Sequence, residues 1–187
     1  MSQNTITNII SIDDLRFSQY ISESEIQSKV RDIAAEISMT YRDKNPVFLV
    51  VMNGAFIFAA DLIRQFDFPC ELSFVRIKSY HGTQSSGKID VYMPPGLELS
   101  NRHVVIIEDI IDTGTTMAEF IPICEEMGPK SIALSAILIK PEAHKVDIKT
   151  DFPGFVIPNK FVVGYGLDYN GQGRNFKDIY QLYGEDN

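Results

Sequence analysis

A run of acidic residues at 104–116, VVIIEDIIDTGTT, carries the strongest chemical signal in the sequence. The apolar residues 104–107 are followed by the carboxylates of Glu108, Asp109 and Asp112. Carboxylates accept hydrogen bonds from sugar hydroxyls, and a suitably placed one acts as a general base. The three acids are therefore candidates for binding a sugar and for moving a proton.

The next four residues, Thr113, Gly114, Thr115 and Thr116, open a helical pattern. Backbone amides at a helix N-terminus are unpaired and carry the positive end of the helix dipole, so they favour a phosphate, and threonine hydroxyls add further donors. A phosphorylated sugar would satisfy both the acids and the amides. On spacing alone, a turn that only caps the helix is an equally good interpretation.

Strand and helix patterns alternate on both sides of this run. Apolar periodicity predicts a helix over 22–42, with Ser22 or Ser24 ahead of Glu25 as its N-cap. The remaining patterns predict strands at 47–52, 72–77, 104–107, 132–139 and 161–163, and helices at 55–66 and 116–127. A polar stretch, 78–90, is a candidate lid.

Strands joined by helices form right-handed crossovers and hence a parallel sheet, which binds ligands at the carboxyl ends of its strands. The sequence therefore predicts an α/β fold. The loops expected to carry function are those after Met52, Ile77, Ile107, Ile139 and Val163.

Composition limits the partners. The 187 residues include 17 Lys and Arg against 25 Asp and Glu, a net charge of −8 without a basic run, so no nucleic acid is expected to bind. An anionic ligand would need backbone amides, a few placed cations and a divalent metal. No stretch approaches the roughly 20 apolar residues of a membrane span. A start without a signal-peptide pattern, and Cys70 and Cys124 without a CxxC spacing, lead us to expect no membrane partner and a cytoplasmic location.

The EDIIDTGTT segment resembles the signature of the type I phosphoribosyltransferases, which use 5-phosphoribosyl 1-pyrophosphate (PRPP), and its form is similar to the 6-oxopurine branch. The resemblance runs from about 47 to 174 and includes MNGAF, IKSY, ILIK, KFVVGYGLDYN and Arg174. It implies a mainly parallel sheet of about five strands, flanked by helices, with a small hood. One domain would span 1–187, with a core at about 22–150 and a hood from the N-terminal segment and about 151–187.

The resemblance also implies the sugar and phosphate contacts. Glu108 and Asp109 would hold the ribose hydroxyls, and residues 113–116 would bind the 5-phosphate. The pyrophosphate would lie against Asn53, Gly54 and Arg174, with a cis peptide at Met52-Asn53. Mg²⁺ would be held by Asp168 together with Glu108 and Asp109.

On the purine side, the resemblance implies that Asp112 manages the proton of the attacking ring nitrogen and that Lys140 donates to the 6-oxo group. Phe161 would stack on the purine, and Val162 would present backbone groups to its edge. Ser79 and Tyr80 would begin a lid that excludes water. The implied activity is purine salvage: transfer of 5-phosphoribosyl to hypoxanthine and guanine, by a homodimer or homotetramer.

The sequence departs from the family pattern at three places. Some members carry lysine where this chain has Asn53 and Thr115, and Gly171-Gln172-Gly173 is richer in glycine than the usual loop. Two alternatives stay open: a xanthine-preferring transferase, and a non-catalytic PRPP sensor that regulates a nucleic acid. The sensor should carry a basic face, which this acidic chain lacks.

Overall fold

Two β-sheets organise the chain in the computed structural model, which describes residues 8–79 and 89–184. The larger sheet has the spatial order β5 (Ile89–Tyr92), β4 (Glu71–Ser79), β3 (Val47–Met52), β6 (His103–Ile111), β7 (Ser131–Ile139), β8 (Phe152–Val156). The strands from β4 through β8 in this order are parallel, and β5 pairs antiparallel with β4. The predicted α/β class and mainly parallel sheet are confirmed.

The smaller sheet is antiparallel and joins residues from both ends of the described chain. Its order is β1 (Ile9–Ile12), β2 (Leu15–Ile21), β10 (Ile179–Leu182), β9 (Val162–Val163). We call this sheet the hood. It forms as expected from the two ends of the chain.

Among residues 8–79 and 89–184, three α-helices flank the larger sheet: α1 (Glu23–Tyr41), α2 (Phe56–Ile63) and α3 (Thr115–Glu125). A 3₁₀ turn lies at Pro141–Ala143. Ser22 is the N-cap of α1, as one of the two predicted candidates. Its hydroxyl accepts from the amide of Glu25, whose carboxylate accepts from the amide of Ser22 at 2.9 Å. This capping box fixes where the chain leaves the hood and enters the core.

The core around the larger sheet has two halves, one on each face. In β3, Phe48 and Val50 pack toward α1 and α2, whereas Leu49 and Val51 pack on the opposite face, with α3. Strands buried on both faces must be apolar throughout, which explains the uninterrupted apolar runs. Cys124 is fully buried in the second half, and burial raises the pKa of its thiol to about 12.

The structure corrects two strand assignments. Residues 152–156 form an edge strand of the larger sheet, although we expected the segment from about 151 onward in the hood. Pro153 lacks an N–H donor, but β8 pairs only with β7, and an edge strand tolerates that loss. With β5 also present, the sheet has six strands instead of about five.

The second correction concerns the strand predicted at 161–163. It is observed as β9 at Val162–Val163 and lies in the hood, not in the parallel sheet. Two apolar residues in a row do not reveal which sheet they join. Within residues 8–79 and 89–184, no helix is long and apolar enough to cross a bilayer.

Candidate active site

A cleft of about 300 Å³ opens at the carboxyl ends of the parallel strands, where the sheet topology predicts a ligand. It lies between the loop after β3, the end of β6, the start of α3 and the loop that follows β9. The predicted site residues that line it are Asn53, Gly54, Glu108, Asp109, Asp112, Thr113, Gly114, Thr116, Asp168 and Arg174. Residues from three separate parts of the sequence, 53–54, 108–116 and 168–174, thus meet in one cavity.

The acid pair lies inside β6, because this strand continues to Ile111 and does not stop at Ile107 as predicted. Glu108 is 8% exposed, and one of its oxygens accepts from the amide of Asp109 at 3.0 Å. Burial raises the pKa of the Glu108 carboxyl well above its ordinary value, and the charge of Asp109 raises it further. Hydroxyl donors or a cation would relieve this cost, so the pair suits a sugar or a metal.

The loop after β3 brings the backbone of Gly54 next to the carboxylate of Asp109. The Met52-Asn53 peptide is cis, as the resemblance implied, and Gly54 follows it. The carbonyl oxygen of Gly54 is in turn packed against Gly166, where a Cβ atom would lie 2.1 Å away. Gly166 adopts a φ of +101° and is a site residue that sequence reasoning missed.

The start of α3 has no side-chain cap at its N-cap position. The N-cap residue is Gly114, at a φ of +78°, and the hydroxyl of the preceding Thr113 accepts a long hydrogen bond from the Thr115 amide at 3.5 Å. The hydroxyls of Thr113 and Thr115 bond to each other at 2.8 Å. Beyond this bond to Thr115, the other first-turn amides have the geometry to bind an anion.

A second segment supports the turn from behind. The amide of Lys145 donates to the carbonyl of Thr113 at 2.9 Å. The side chains of Val146 and Ile148 fill the space beside Gly114, where a Cβ atom would lie 2.9 Å from Ile148. The backbone of the anion-binding turn is thus held by contacts that spacing in the sequence does not reveal.

Asp112 and Lys140 form an ion pair, with Nζ 3.1 Å from Oδ2. They come from the ends of the adjacent strands β6 and β7. The Lys140 side chain is 6% exposed and that of Asp112 is 49% exposed. A buried cation held by a half-exposed carboxylate presents a donor and a proton acceptor side by side, which suits a heterocycle that carries an oxo group next to a ring nitrogen.

Asp168 and Arg174 form the other ion pair of the cleft, at 2.5 Å. The guanidinium also donates to the carbonyl of Gly166 at 2.6 Å, and Asp168 accepts from the amide of Gly171 at 2.7 Å. The carboxylate and the guanidinium thereby fix each other across the loop between them.

Not every predicted residue lines the cleft. Phe161 is 40% exposed in the hood, with ring centroids 6.1 Å from Phe17 and 5.9 Å from Tyr169, and Val162 is buried beside it. Thr115 and Lys140 do not line the cleft themselves. Thr115 hydrogen-bonds to Thr113 and Lys140 pairs with Asp112, and both of these partners line it. Ser79 is the last residue of β4, and Tyr80 lies outside the described residues.

The positions of the acidic side chains limit what kind of metal site the cleft can form. In the part of the chain that the structure describes, no three His, Cys, Asp or Glu side chains cluster closely enough to hold a metal ion. Asp168, Glu108 and Asp109 therefore do not form a protein-only metal cage, although all three line the same cleft.

Comparisons with known proteins give consistent results. The family described as phosphoribosyl transferase domain matches residues 18–170. The hypoxanthine-guanine phosphoribosyltransferase of Bacillus subtilis is 42% identical over 160 residues, which are 85% of this chain and 89% of that protein. The hypoxanthine-guanine-xanthine phosphoribosyltransferase of Tritrichomonas foetus is 35% identical over 175 residues, covering 93% and 95%. A crystal structure of a hypoxanthine phosphoribosyltransferase from Staphylococcus aureus superposes with a TM-score of 0.83 at 34% identity, covering 88% of this chain and 90% of that chain.

Proposed function

This chain belongs to the phosphoribosyltransferase family, and from that premise we infer that it is a hypoxanthine phosphoribosyltransferase of purine salvage. The reaction transfers 5-phosphoribosyl from PRPP to a 6-oxopurine, hypoxanthine and guanine, and gives IMP or GMP and pyrophosphate. The observation that carries this function is the meeting, in one cleft, of an anion-binding turn, a buried acid pair and the Asp112–Lys140 pair.

The sugar phosphate fits between β6 and α3. The amides and hydroxyls of residues 113–116 would hold the 5-phosphate, since a helix N-terminus supplies donors and a favourable dipole. Glu108 and Asp109 would accept from the ribose hydroxyls. These contacts fix the sugar so that its anomeric carbon faces the base.

The pyrophosphate would lie between Gly54 and Arg174. Asn53 and Thr115 stand where some relatives have lysine, so Arg174 carries more of the charge compensation on the protein side. The donor set fits Mg²⁺, which favours one or two carboxylates together with phosphate oxygens and water, and the absence of a three-carboxylate cage in the described residues agrees with that preference. Asp168, Glu108 and Asp109 would hold it. When bound, Mg²⁺ neutralises charge on the leaving pyrophosphate.

The purine would meet Asp112 and Lys140. Lys140 would donate to the 6-oxo group, and Asp112 would take or return the proton at the ring nitrogen that attacks the sugar. Phe161 would stack on the ring and Val162 would contact its edge, which requires the base to extend from the cleft toward the hood. Ser79 and Tyr80 would begin the lid that keeps water from the reacting carbon.

The test is a spectrophotometric assay of the purified protein with PRPP, Mg²⁺ and, in turn, hypoxanthine, guanine, xanthine and adenine. Turnover of hypoxanthine that a chelator abolishes is the expected result. The relative from Tritrichomonas foetus is named for xanthine as well, so the rank of xanthine in this assay is the measure of base preference. If no base is turned over, the proposed enzymatic function is wrong and the chain is a PRPP sensor instead.

The remaining features of the proposal concern the whole protein. We place all of 1–187 in one phosphoribosyltransferase domain, acting in the cytoplasm on small molecules as a homodimer or homotetramer. Size-exclusion chromatography with light scattering measures the oligomeric state.

A further inference from the structure

Two acidic residues in a hood turn bind the loop that carries Asp168 and Arg174. Asp13 and Asp14 form the turn between β1 and β2, and both are exposed. Asp13 accepts from the Gln172 side chain at 2.7 Å with one carboxylate oxygen and from the Asn170 side chain at 3.2 Å with the other. Asp14 accepts from the Tyr169 hydroxyl at 3.0 Å. Three donors from one loop thus converge on two adjacent carboxylates about 155 residues earlier in the chain.

The Asp168–Arg174 ion pair joins the two ends of this loop, but the residues between them do not fix its tip relative to the hood. Asn170, Gly171 and Gly173 all have φ values between +52° and +97°. Glycines populate many conformations in the free chain, so holding them here costs conformational entropy. Inside the loop, the backbone groups of Tyr169 and Gln172 bond to each other at 2.9 Å, which closes a narrow turn but does not orient it.

Contacts with the hood turn supply that orientation. Gly173 lies against Ile12, the residue before Asp13, where a Cβ atom would come within 2.8 Å of the isoleucine side chain. Asp13 therefore holds the tip of the loop while Ile12 supports its base. Asp168 and Arg174 stand at the two ends of this supported segment.

From this geometry we propose that Asp13 is a positioning residue, which orients the 168–174 loop so that Asp168 and Arg174 meet the metal-bound pyrophosphate. The inference rests on the proposed function. Asp13 touches no part of the cleft, so it acts only through the loop. Hydrogen bonds to its carboxylate restrain a loop in which Gly171 and Gly173 allow many backbone conformations.

The experiment compares Asp13→Ala, Gln172→Ala and the double variant with the wild type. We call the hydrogen bond between Asp13 and Gln172 the tether. Its loss should raise the KM for PRPP and the Kd for Mg²⁺-pyrophosphate about tenfold, the lower end of what supporting residues behind a ligand site contribute. The kcat and the KM for hypoxanthine should change less than threefold. The double variant should be no worse than Asp13→Ala, because that single variant already removes the bond to Gln172 along with the bond to Asn170.

Two variants separate positioning from other effects. Asp13→Asn should recover most of the affinity, since its amide oxygen still accepts from Gln172 and asparagine, like aspartate, tolerates the φ of +50° at this position. Alanine at 13 adds backbone strain, so Gln172→Ala is the variant that removes the hydrogen bond alone. Glu126→Ala, at the exposed end of α3, changes the charge equally and should leave both constants unchanged. If Asp13→Ala fails to fold, Gln172→Ala removes the tether from the exposed loop side.

Hydrogen exchange of amides 168–174 provides a readout that does not depend on turnover. Faster exchange in Asp13→Ala and Gln172→Ala supports the proposal. Unchanged exchange and an unchanged Kd for Mg²⁺-pyrophosphate, with only a lower Tm, would overturn it. If the wild type turns over no base, the proposed function is wrong, and exchange and pyrophosphate titration then decide on Asp13 alone.

Discussion

Gly54 lies so close to Asp109 that a Cβ atom on residue 54 would be 1.5 Å from the Oδ2 atom of Asp109. The carboxylate thus occupies the space into which any side chain at this position would project. The loop after β3 and the acid pair of β6 are therefore in direct contact, with only backbone between the predicted pyrophosphate loop and the predicted ribose contacts. Glycine at this position is required by space, since its φ is not in the left-handed region.

Gly54→Ala should consequently displace Asp109 or the loop. We expect kcat/KM to fall about a hundredfold or more, since misplacement by about 1 Å costs that much, while circular dichroism shows a folded protein. Gly96→Ala is the control, because nothing lies within 4 Å of its Cβ position although its φ is +78°. That variant should lose some stability but keep its activity. Full activity in Gly54→Ala would show that the contact is dispensable.

Asp112→Asn should separate chemistry from binding. Asparagine keeps the shape and can still accept from Lys140, but it does not take a proton, so kcat should fall about a hundredfold or more while both KM values change little. Steady-state kinetics with hypoxanthine measures this, beside Asp43→Asn at an exposed position far from the cleft as control. Unchanged turnover rejects Asp112 as the base.

Lys140→Met should weaken the binding of the purine and leave the binding of PRPP almost unchanged. Removing a charged donor to the 6-oxo group should raise the KM for hypoxanthine about 10- to 100-fold, because such a hydrogen bond contributes about 1.5 to 3 kcal/mol. The KM for PRPP should stay within a few-fold. Lys149→Met, at a lysine that is 85% exposed, is the matched control. An equal rise in both KM values would indicate general damage to the site instead of a lost base contact.

The capping box makes stability depend on pH in a predictable direction. Hydrogen bonds from the Ser22 hydroxyl and amide lower the pKa of the Glu25 carboxyl from its ordinary value of 4.5. A carboxyl with a lowered folded pKa contributes stability above its unfolded pKa and loses that contribution as the pH falls through its folded pKa. Glu25→Gln should therefore have a lower Tm than the wild type at pH 7, and the difference should shrink below pH 4.5. A difference that stays constant across this range would contradict the assignment.

Much of this arrangement is readable from the sequence because it depends on local patterns. The apolar runs at 47–52 and 132–139 predict buried parallel strands, and strands of that kind put their carboxyl ends at one edge. Asp112 and Lys140 follow from this rule, since each comes directly after such a strand, and Gly114 opens the helix that follows Asp112.

Other features depend on contacts between distant segments and have no local signal. Pro153 breaks the pattern of a central strand, but β8 occupies an edge, and edge position is a property of the whole sheet. Asp13 reads as an ordinary turn residue until Gln172 lies beside it. The close approach of Gly166 to Gly54 joins residues that are more than a hundred positions apart.

The hood also imposes an order on biosynthesis. Strand β2 finds its central partner only in β10, at Ile179–Leu182, so residues 15–21 must wait until translation has passed residue 182. The parallel strands β3, β4, β6, β7 and β8 are complete by residue 156. The acid pair and the anion-binding turn thus belong to a segment that is synthesised before the hood can close, whereas Asp168 and Arg174 lie between the hood strands β9 and β10, so completion of the cleft depends on the hood.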